Sequence, residues 1–433
     1  MKNTFVVSCP IDTFSGYGAR SRDFVKALIE LGEYEISIIP QRWGNTPENF
    51  IEQNKKEWGF LTKHLIPGLQ SKPDIWCQVT VPNEFQPMGK YNIGLTAGME
   101  TTHVHSSWVE GCNRMDIILT SSQHSKTTFI NSQYKAKDGG HVLKVEKPIE
   151  VLFEGVNLDV YKTIKKFTNQ DLKDSIQSIP EDFAYLTVGH WMQGEMGHDR
   201  KNIGLTIKAF YEIFKGRDKK PALILKTCAV GGSNSDREEM LRRIDLIRES
   251  CQGDDLPNVY LLHGDFTDVE MNEIYNHHKI KAMISLTKGE GFGRPLLEFS
   301  TINKPIITTG WSGHVDFLSK DYCALLGGEL ETVHPSAQVK DMILGEAQWF
   351  KVGDQWIANA YHDIFLKYKM WKDRAKKQGF NSRKNFSYEK MKLKIDEMLS
   401  KNIPELPKKM ELKLPSMSKI KMPKKDNKLK IVK

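Results

Sequence analysis

The sequence predicts an α/β protein made of two Rossmann-like, doubly wound domains facing a central cleft. Short β-branched and apolar segments alternate with amphipathic segments of helical period in the first part of the chain. A second alternation of the same kind follows a polar, lysine-rich stretch. A length of 433 residues suits two or three domains of ordinary size. Repeated strand–helix units imply parallel sheets with right-handed crossovers. Ligands on such sheets sit at the carboxyl ends of the strands.

In chain order, residues 4–7 read as the first strand, followed by a loop carrying Gly16 and Gly18. Residues 19–31 read as a helix, with Phe24, Leu28 and Leu31 spaced for one apolar face. Strands follow at 35–39, 92–96 and 116–120, with a helix near 107–113, and 151–153 closes a first domain set at 1–161. Residues 162–180 have few apolar anchors and read as a linker with a short surface helix. The second domain, 181–370, has strands at 185–188, 222–226, 259–262, 282–286, 305–309 and 323–326. Helices are expected between the first five, including 203–214 and 237–249. Residues 358–399 are amphipathic and helical, and 371–403 are expected to pack back on the first domain.

The net charge of +8 is concentrated in one place. Residues 404–433 hold ten lysines against three acids, so the rest of the chain is nearly neutral. Pro404, Pro407, Pro415 and Pro423 make regular structure there unlikely, and disorder is expected. This tail has three readings: a solubilising end, a contact with a polyanion (nucleic acid or an anionic membrane surface), or docking of Met417, Ile420, Met422 and Ile431 on the body. The six cysteines form no C-x-x-C pair, so neither a disulfide framework nor a zinc site is suggested and buried free thiols in a reducing compartment are favoured. No apolar run has the length of a signal peptide core or a membrane span, so a soluble, cytoplasmic protein is expected.

The segment after the strand at 282–286 reads Thr287-Lys-Gly-Glu290-Gly291-Phe292-Gly293-Arg294-Pro295. Three glycines permit a tight turn and close approach of a ligand. Pro295 suits the first turn of a helix, whose free N–H groups favour an anionic or hydroxyl-rich ligand. Glu290 lies in the turn and Glu298 at the helix start, where two carboxylates can hold two hydroxyl-bearing parts of one ligand. A plain glycine turn with Glu298 as a favourable helix-start charge fits the same residues.

Glu290 through Glu298 resembles the E-x7-E motif of family 4 glycosyltransferases, the large retaining group of the GT-B fold. Val151-Leu-Phe-Glu-Gly-Val-Asn-Leu-Asp-Val-Tyr161 resembles that family's domain-crossing segment. Leu186-Thr-Val-Gly-His190 with Arg200-Lys201-Asn202 resembles its diphosphate loop, and Thr309-Gly310-Trp-Ser-Gly313 its next glycine turn. In the first domain, Gly98-Met-Glu-Thr-Thr102, the segment from Trp108 to Asp116 and Ser121-Ser122 resemble the family's landmarks.

The resemblance implies a hexosyl- or pentosyltransferase using a nucleotide-diphosphate-sugar as co-substrate, with no cofactor and no metal. Glu290, with backbone groups of Gly291, Phe292 and Gly293, would contact the transferred sugar. Glu298 would accept from the ribose. Lys201 matches the family's diphosphate lysine, and Arg200 precedes it. The family usually places arginine after the strand glycine, where this chain has His190 and a longer loop, 191–199. Arg294 is a further donor-site candidate that could equally pair with an acid, and Gly310 belongs to the donor wall. Gly16 and Gly18 would face the phosphates, and Glu100 would touch the reacting sugar. The acceptor hydroxyl would attack on the face from which the nucleotide leaves, with retention.

Gly16-x-Gly18-x-x-Ser21 is a degraded dinucleotide fingerprint, but the following strand ends in Pro40-Gln41 rather than an acid. His103 and His105 lack further nearby ligands and read as polar loop residues, and no Asp-x-Asp occurs. A transferase acting on modified DNA bases would use the basic tail, and an inactive scaffold of the same fold is opposed by the intact Glu290, Glu298 and Lys201.

Overall fold

The computed structural model describes residues 2–135, 139–140, 142–229 and 231–406. The first half runs β1 (Thr4–Cys9), α1 (Gly16–Leu31), β2 (Glu35–Pro40), α2 (Phe50–Gln53), α3 (Lys55–Trp58), β3 (Ile75–Val79), β4 (Tyr91–Leu95), α4 (Ser106–Asn113), β5 (Ile117–Thr120), α5 (Gln123–Asn131), β6 (Tyr134–Lys135), β7 (Val142–Leu143) and β8 (Ile149–Val151). Six of these strands form one parallel sheet in the order β2-β1-β3-β4-β5-β8. β3 is a central strand, buried along its whole length. The sequence reading passed over it, because Trp76 and Gln78 interrupt the aliphatic run while burial on both faces removes any alternation.

The second half runs α6 (Gln170–Gln177), β9 (Ala184–Val188), α7 (Ile203–Phe214), β10 (Ala222–Lys226), α8 (Asn234–Ser250), β11 (Val259–Leu262), α9 (Asp268–Asn276), β12 (Ile280–Ser285), α10 (Arg294–Ser300), β13 (Ile306–Thr309), β14 (Ala324–Leu326), β15 (Gly328–Thr332), β16 (Gln348–Val352), α11 (Asp354–Leu366), α12 (Tyr368–Asn385) and α13 (Tyr388–Asn402). Its main sheet is again six parallel strands, β11-β10-β9-β12-β13-β14. Each sheet packs helices on both sides around its own apolar core.

The segment read as a linker carries α6, whose Leu172 and Ile176 join the second domain's core. Of the last two helices, α12 stays on the second domain. There Gln378 donates to Phe317 O (2.7 Å) and Ser300 meets Ser382 (2.7 Å). Only α13 returns to the first domain, where Met391, Ile395, Met398 and Leu399 share a core with Phe24 and Leu28.

The two crossings of the chain lie side by side. Val156 N–H donates to Phe386 O (2.9 Å) and Tyr388 N–H to Val156 O (2.8 Å). A Cβ at Gly155 would stand 2.6 Å from Tyr388 Cα, so that position takes glycine. The six cysteines are buried and unpaired. Among the described residues no helix is long and apolar enough to cross a membrane. Residues 407–433, most of the basic tail expected to be disordered, lie outside the described residues.

Candidate active site

The carboxyl ends of the two main sheets converge on the turn between β12 and α10. Gly293, at φ 95°, supplies the left-handed residue that precedes α10. Pro295 therefore falls at the second helical position, and Glu298 in the second turn rather than the first. Glu290 N–H donates to Ser312 Oγ (2.9 Å), and Gly313 N–H donates to Glu290 O (2.9 Å). Lys288 N–H donates to Arg200 O (2.8 Å), tying the turn to the loop that follows β9.

These bonds bring four sequence candidates together. Lys201 Nζ lies 2.6 Å from Glu290 Oε1, and Arg200 Nη1 lies 3.5 Å from Glu290 Oε2. Arg200 also reaches Glu100 of the first domain (3.4 Å) and donates to Gly289 O (3.1 Å). Burial alone would raise the Glu290 carboxyl. The charges of Lys201 and Arg200, with the Lys201 hydrogen bond, outweigh it and hold the pKa at about 2.

A second cluster surrounds Glu298. Its carboxylate accepts from Arg294 Nε (2.9 Å) and from Tyr275 OH (3.4 Å). Arg294 extends across the interface to Asp23 on α1 (2.7 Å) and approaches Glu154 (3.9 Å), which also faces Arg20 (3.4 Å). Burial drives the Glu298 carboxyl up, Arg294 opposes this, Asp268 adds to it, and the pKa settles at about 7. Arg294, open between two readings in the sequence, is thus paired with acids on both domains. Asp23, Arg20 and Glu154 were not singled out in the sequence. Arg20 and Asp23 show in the sequence only as a charged run near the start of α1, and Glu154 only as part of the domain-crossing segment.

The glycines of the turn meet the first domain directly. A Cβ on Gly289 would overlap Glu100 O, and one on Gly291 would overlap Ala97 O. Ser121 Oγ donates to Gly291 O (2.9 Å) and to Ala97 O. Phe292 turns its ring into the core against Phe317 (5.0 Å), so only its backbone faces the cleft. Gly310 is exposed, and its N–H donates to Leu326 O (2.9 Å). His190 lies at the surface with Nδ1 3.4 Å from Cys228 Sγ. Its packing and the nearby Lys201, Lys226 and Arg200 lower its pKa.

The loop expected at Gly16 and Gly18 is instead the first turn of α1. Ser15 caps that helix by accepting from Gly18 N–H (2.9 Å). Gly16 has open space around its Cα, whereas a Cβ on Gly18 would overlap Thr13 O. Tyr17 between them was overlooked. Its hydroxyl meets Thr96 Oγ1 (3.0 Å) and accepts from Ala97 N–H (3.1 Å), and its ring stacks on Trp43 (3.9 Å). His105 caps α4 by accepting from Ser107 N–H (3.3 Å), and His103 meets Thr102 Oγ1 (2.9 Å).

No protein-family model matches the sequence, and no curated protein matches it. Solved structures do match over nearly the whole chain. A glycosyltransferase from Rickettsia africae aligns at TM-score 0.60 and 14% identity, covering 93% of this chain and 99% of that one. Sucrose-phosphate synthase from Thermosynechococcus elongatus aligns at TM-score 0.59 and 11% identity, covering 92% and 99%. Anabaena Alr3699/HepE in complex with UDP and glucose aligns at TM-score 0.53 and 13% identity, covering 92% and 99%. The fold is GT-B.

On this GT-B frame the hairpin β15–β16 and the segment joining its strands form an element absent from the sequence reading. Thr102 N–H donates to Gln348 O (2.9 Å), and Gln348 N–H donates to Thr102 Oγ1 (2.9 Å). The same element receives the long loop after β9, through Gln193 to Gln338 O (2.9 Å) and Glu195 N–H to Ser336 Oγ (2.9 Å). Lys288 pairs with Glu331 of β15 (2.5 Å). The lengthened loop at 191–199 is therefore supported at its tip, beside Arg200 and Glu100.

Proposed function

We propose that this chain is a retaining glycosyltransferase of the family 4 type. It moves a sugar from a nucleotide-diphosphate-sugar to an acceptor hydroxyl without a metal ion. The observation that carries this reading is the meeting of Glu290, Lys201, Arg200 and Glu100 where the two sheets face each other. The UDP and glucose bound by Anabaena HepE, a structural neighbour, support a nucleotide-sugar as donor.

In this reading Lys201 and Arg200 take the donor diphosphate. They stabilise the charge that develops on the leaving nucleoside diphosphate, the work that a metal does elsewhere. Glu290, ionised between those cations, accepts from hydroxyls of the transferred sugar, and Glu298 accepts from the ribose. Backbone groups of Gly291, Phe292 and Gly293 complete the sugar wall, with Gly310 at its edge. Gly16 and Gly18 at the start of α1 face the phosphates, and Glu100 approaches the reacting sugar from the first domain. The acceptor proton passes to a donor phosphate oxygen. Protein groups therefore serve positioning and charge stabilisation rather than acting as a dedicated base. Glu290 and Glu298 are each 6% exposed, so the two domains separate before a donor enters and close again over it.

The test is incubation with UDP-, GDP- and ADP-sugars, following release of nucleoside diphosphate and the donor-induced thermal shift. Release with one donor class, or a shift that Glu298→Ala removes, is expected. Absence of both with every donor overturns the proposal.

A further inference from the structure

We propose that the outer face of α12 docks on an anionic lipid bilayer surface. The two most exposed large apolar side chains among the described residues are Leu366, at 72%, and Phe380, at 59%. Both border the same helix face. Leu366 closes α11 and shares a shallow groove with Met370, Arg374 and Lys377 of α12. Phe380 lies one turn beyond Lys377.

The opposite side of α12, with Trp371, Ala375, Gln378 and Ser382, is buried against the second domain. The helix is thus pinned by one face and presents the other. On that outer face the apolar stripe is flanked by cations. The helix carries seven Lys and Arg residues and one acid, Asp373. Among the described residues, ion pairs engage Lys376 with Asp373 (2.8 Å) and the adjacent Lys367 with Asp363 (2.7 Å). Among the described residues Lys369, Lys372, Arg374, Lys377 and Lys384 have no ion-pair partner, and Arg374, Lys377 and Lys384 lie over the rings of Trp371 (4.8 Å), Tyr322 (6.0 Å) and Phe380 (5.8 Å).

A stripe of large apolar groups bordered by unneutralised cations matches a bilayer interface. The apolar groups enter the acyl boundary while the cations meet anionic headgroups. Isolated exposed apolar residues are ordinary, but a line of them on one basic face is not. The residue types choose between the two polyanions. Leu366 and Met370 are aliphatic, the Phe380 ring lies under Lys384 Nζ (5.8 Å), and lysine outnumbers the arginine suited to base and phosphate forks. The tail has the same character: residues 404–433 contain ten lysines and no arginine or aromatic residue, with aliphatic residues interspersed. A polybasic, aliphatic segment together with the basic outer face of α12 gives the two attachments that stable surface binding requires.

The experiment is co-sedimentation of the full chain with vesicles of phosphatidylcholine alone and of phosphatidylcholine with phosphatidylglycerol. Binding to the anionic vesicles only, weakening with salt, is expected. Lys369→Glu and Lys377→Glu should each lower partitioning about fivefold. Leu366→Ser with Phe380→Ser should reduce binding while leaving the melting temperature unchanged, because both side chains project outward. No binding to anionic vesicles, or binding that none of these variants alters, overturns the proposal. Tighter binding to a DNA duplex or single strand than to vesicles, lost in the same variants, also overturns it in favour of a nucleic-acid surface.

Discussion

Glu290 sits between Lys201 (2.6 Å) and Arg200 (3.5 Å), so its removal leaves Lys201 without its carboxylate and Arg200 with Glu100 alone. Breaking a buried pair from one side costs about 3–5 kcal/mol, so Glu290→Ala would confuse a catalytic loss with a folding loss. Glu290→Gln keeps the shape and an acceptor oxygen. It is expected to lower kcat by about 10²–10³, on the scale of one lost transition-state contact, with the melting temperature falling only modestly. Unchanged turnover would remove Glu290 from the sugar site.

Glu298 gives a second residue-scale prediction. Its folded pKa of about 7 lies above the ordinary 4.5, so the folded chain holds a proton that the unfolded chain has released. Stability from this group is present at low pH and is lost as pH rises from 4.5 through about 7, then stays flat. Donor binding should move the opposite way. In the proposed role Glu298 accepts from the ribose, and the ionised carboxylate is the better acceptor, so nucleoside diphosphate affinity should strengthen as pH rises through about 7. Glu298→Gln should flatten both profiles, measured by chemical unfolding and by calorimetric titration of the nucleotide. A stability slope that survives the substitution would place the titration elsewhere.

At the scale of elements, the β12–α10 turn explains why its glycines stand where they do. Gly289 and Gly291 leave room for the backbone of Glu100 and Ala97, so they serve contact between the domains as well as the turn itself. Gly291→Ala is expected to hold the domains apart. Small-angle scattering should show a larger radius of gyration, and turnover should drop at least about tenfold through misplacement of Glu290. An unchanged radius with full activity would show that the contact is dispensable.

The sequence made this turn legible because glycine spacing, a helix-start proline and two acids are local signals. β10 and β11 were equally plain, as short apolar runs between helical stretches. What depends on distant partners was not legible. β15 reads Gly-Glu-Leu-Glu-Thr, mostly exposed and polar, and becomes a strand only by pairing with β16. Gly16 and Gly18 suggested a loop. The Ser15 cap and the tight packing of Gly18 against Thr13 instead start the helix there. The Arg294–Asp23 pair joins positions 271 apart in the chain, beyond the reach of any local pattern.

For the whole molecule, the placement of contacts sets the course of opening. The chain crosses between domains at Glu154–Val156 and again at Phe386–Tyr388, and those crossings bond to each other through Val156. In the proposed opening they serve as the axis, while Thr102–Gln348, Ser121–Gly291 and Arg200–Glu100 lie across the interface and would part as the domains swing. Arg294 is an electrostatic tie between the domains, because it holds Glu298 in its own domain and Asp23 in the other. Both ends of the Arg294–Asp23 pair are mostly shielded from solvent, at 20% and 12% exposure, so salt should screen it weakly. Asp23→Asn leaves Arg294 bonded to Glu298 and removes only the cross-domain charge. Each ~1.4 kcal/mol of closure lost raises the open-to-closed ratio about tenfold. The variant should therefore show a larger radius of gyration and faster proteolysis without donor, and saturating nucleotide-sugar should restore compactness if donor binding draws on the closed form. Equal radii for the variant and the parent chain, with and without donor, would mean that closure rests on the other cross-domain contacts and not on the Arg294–Asp23 pair.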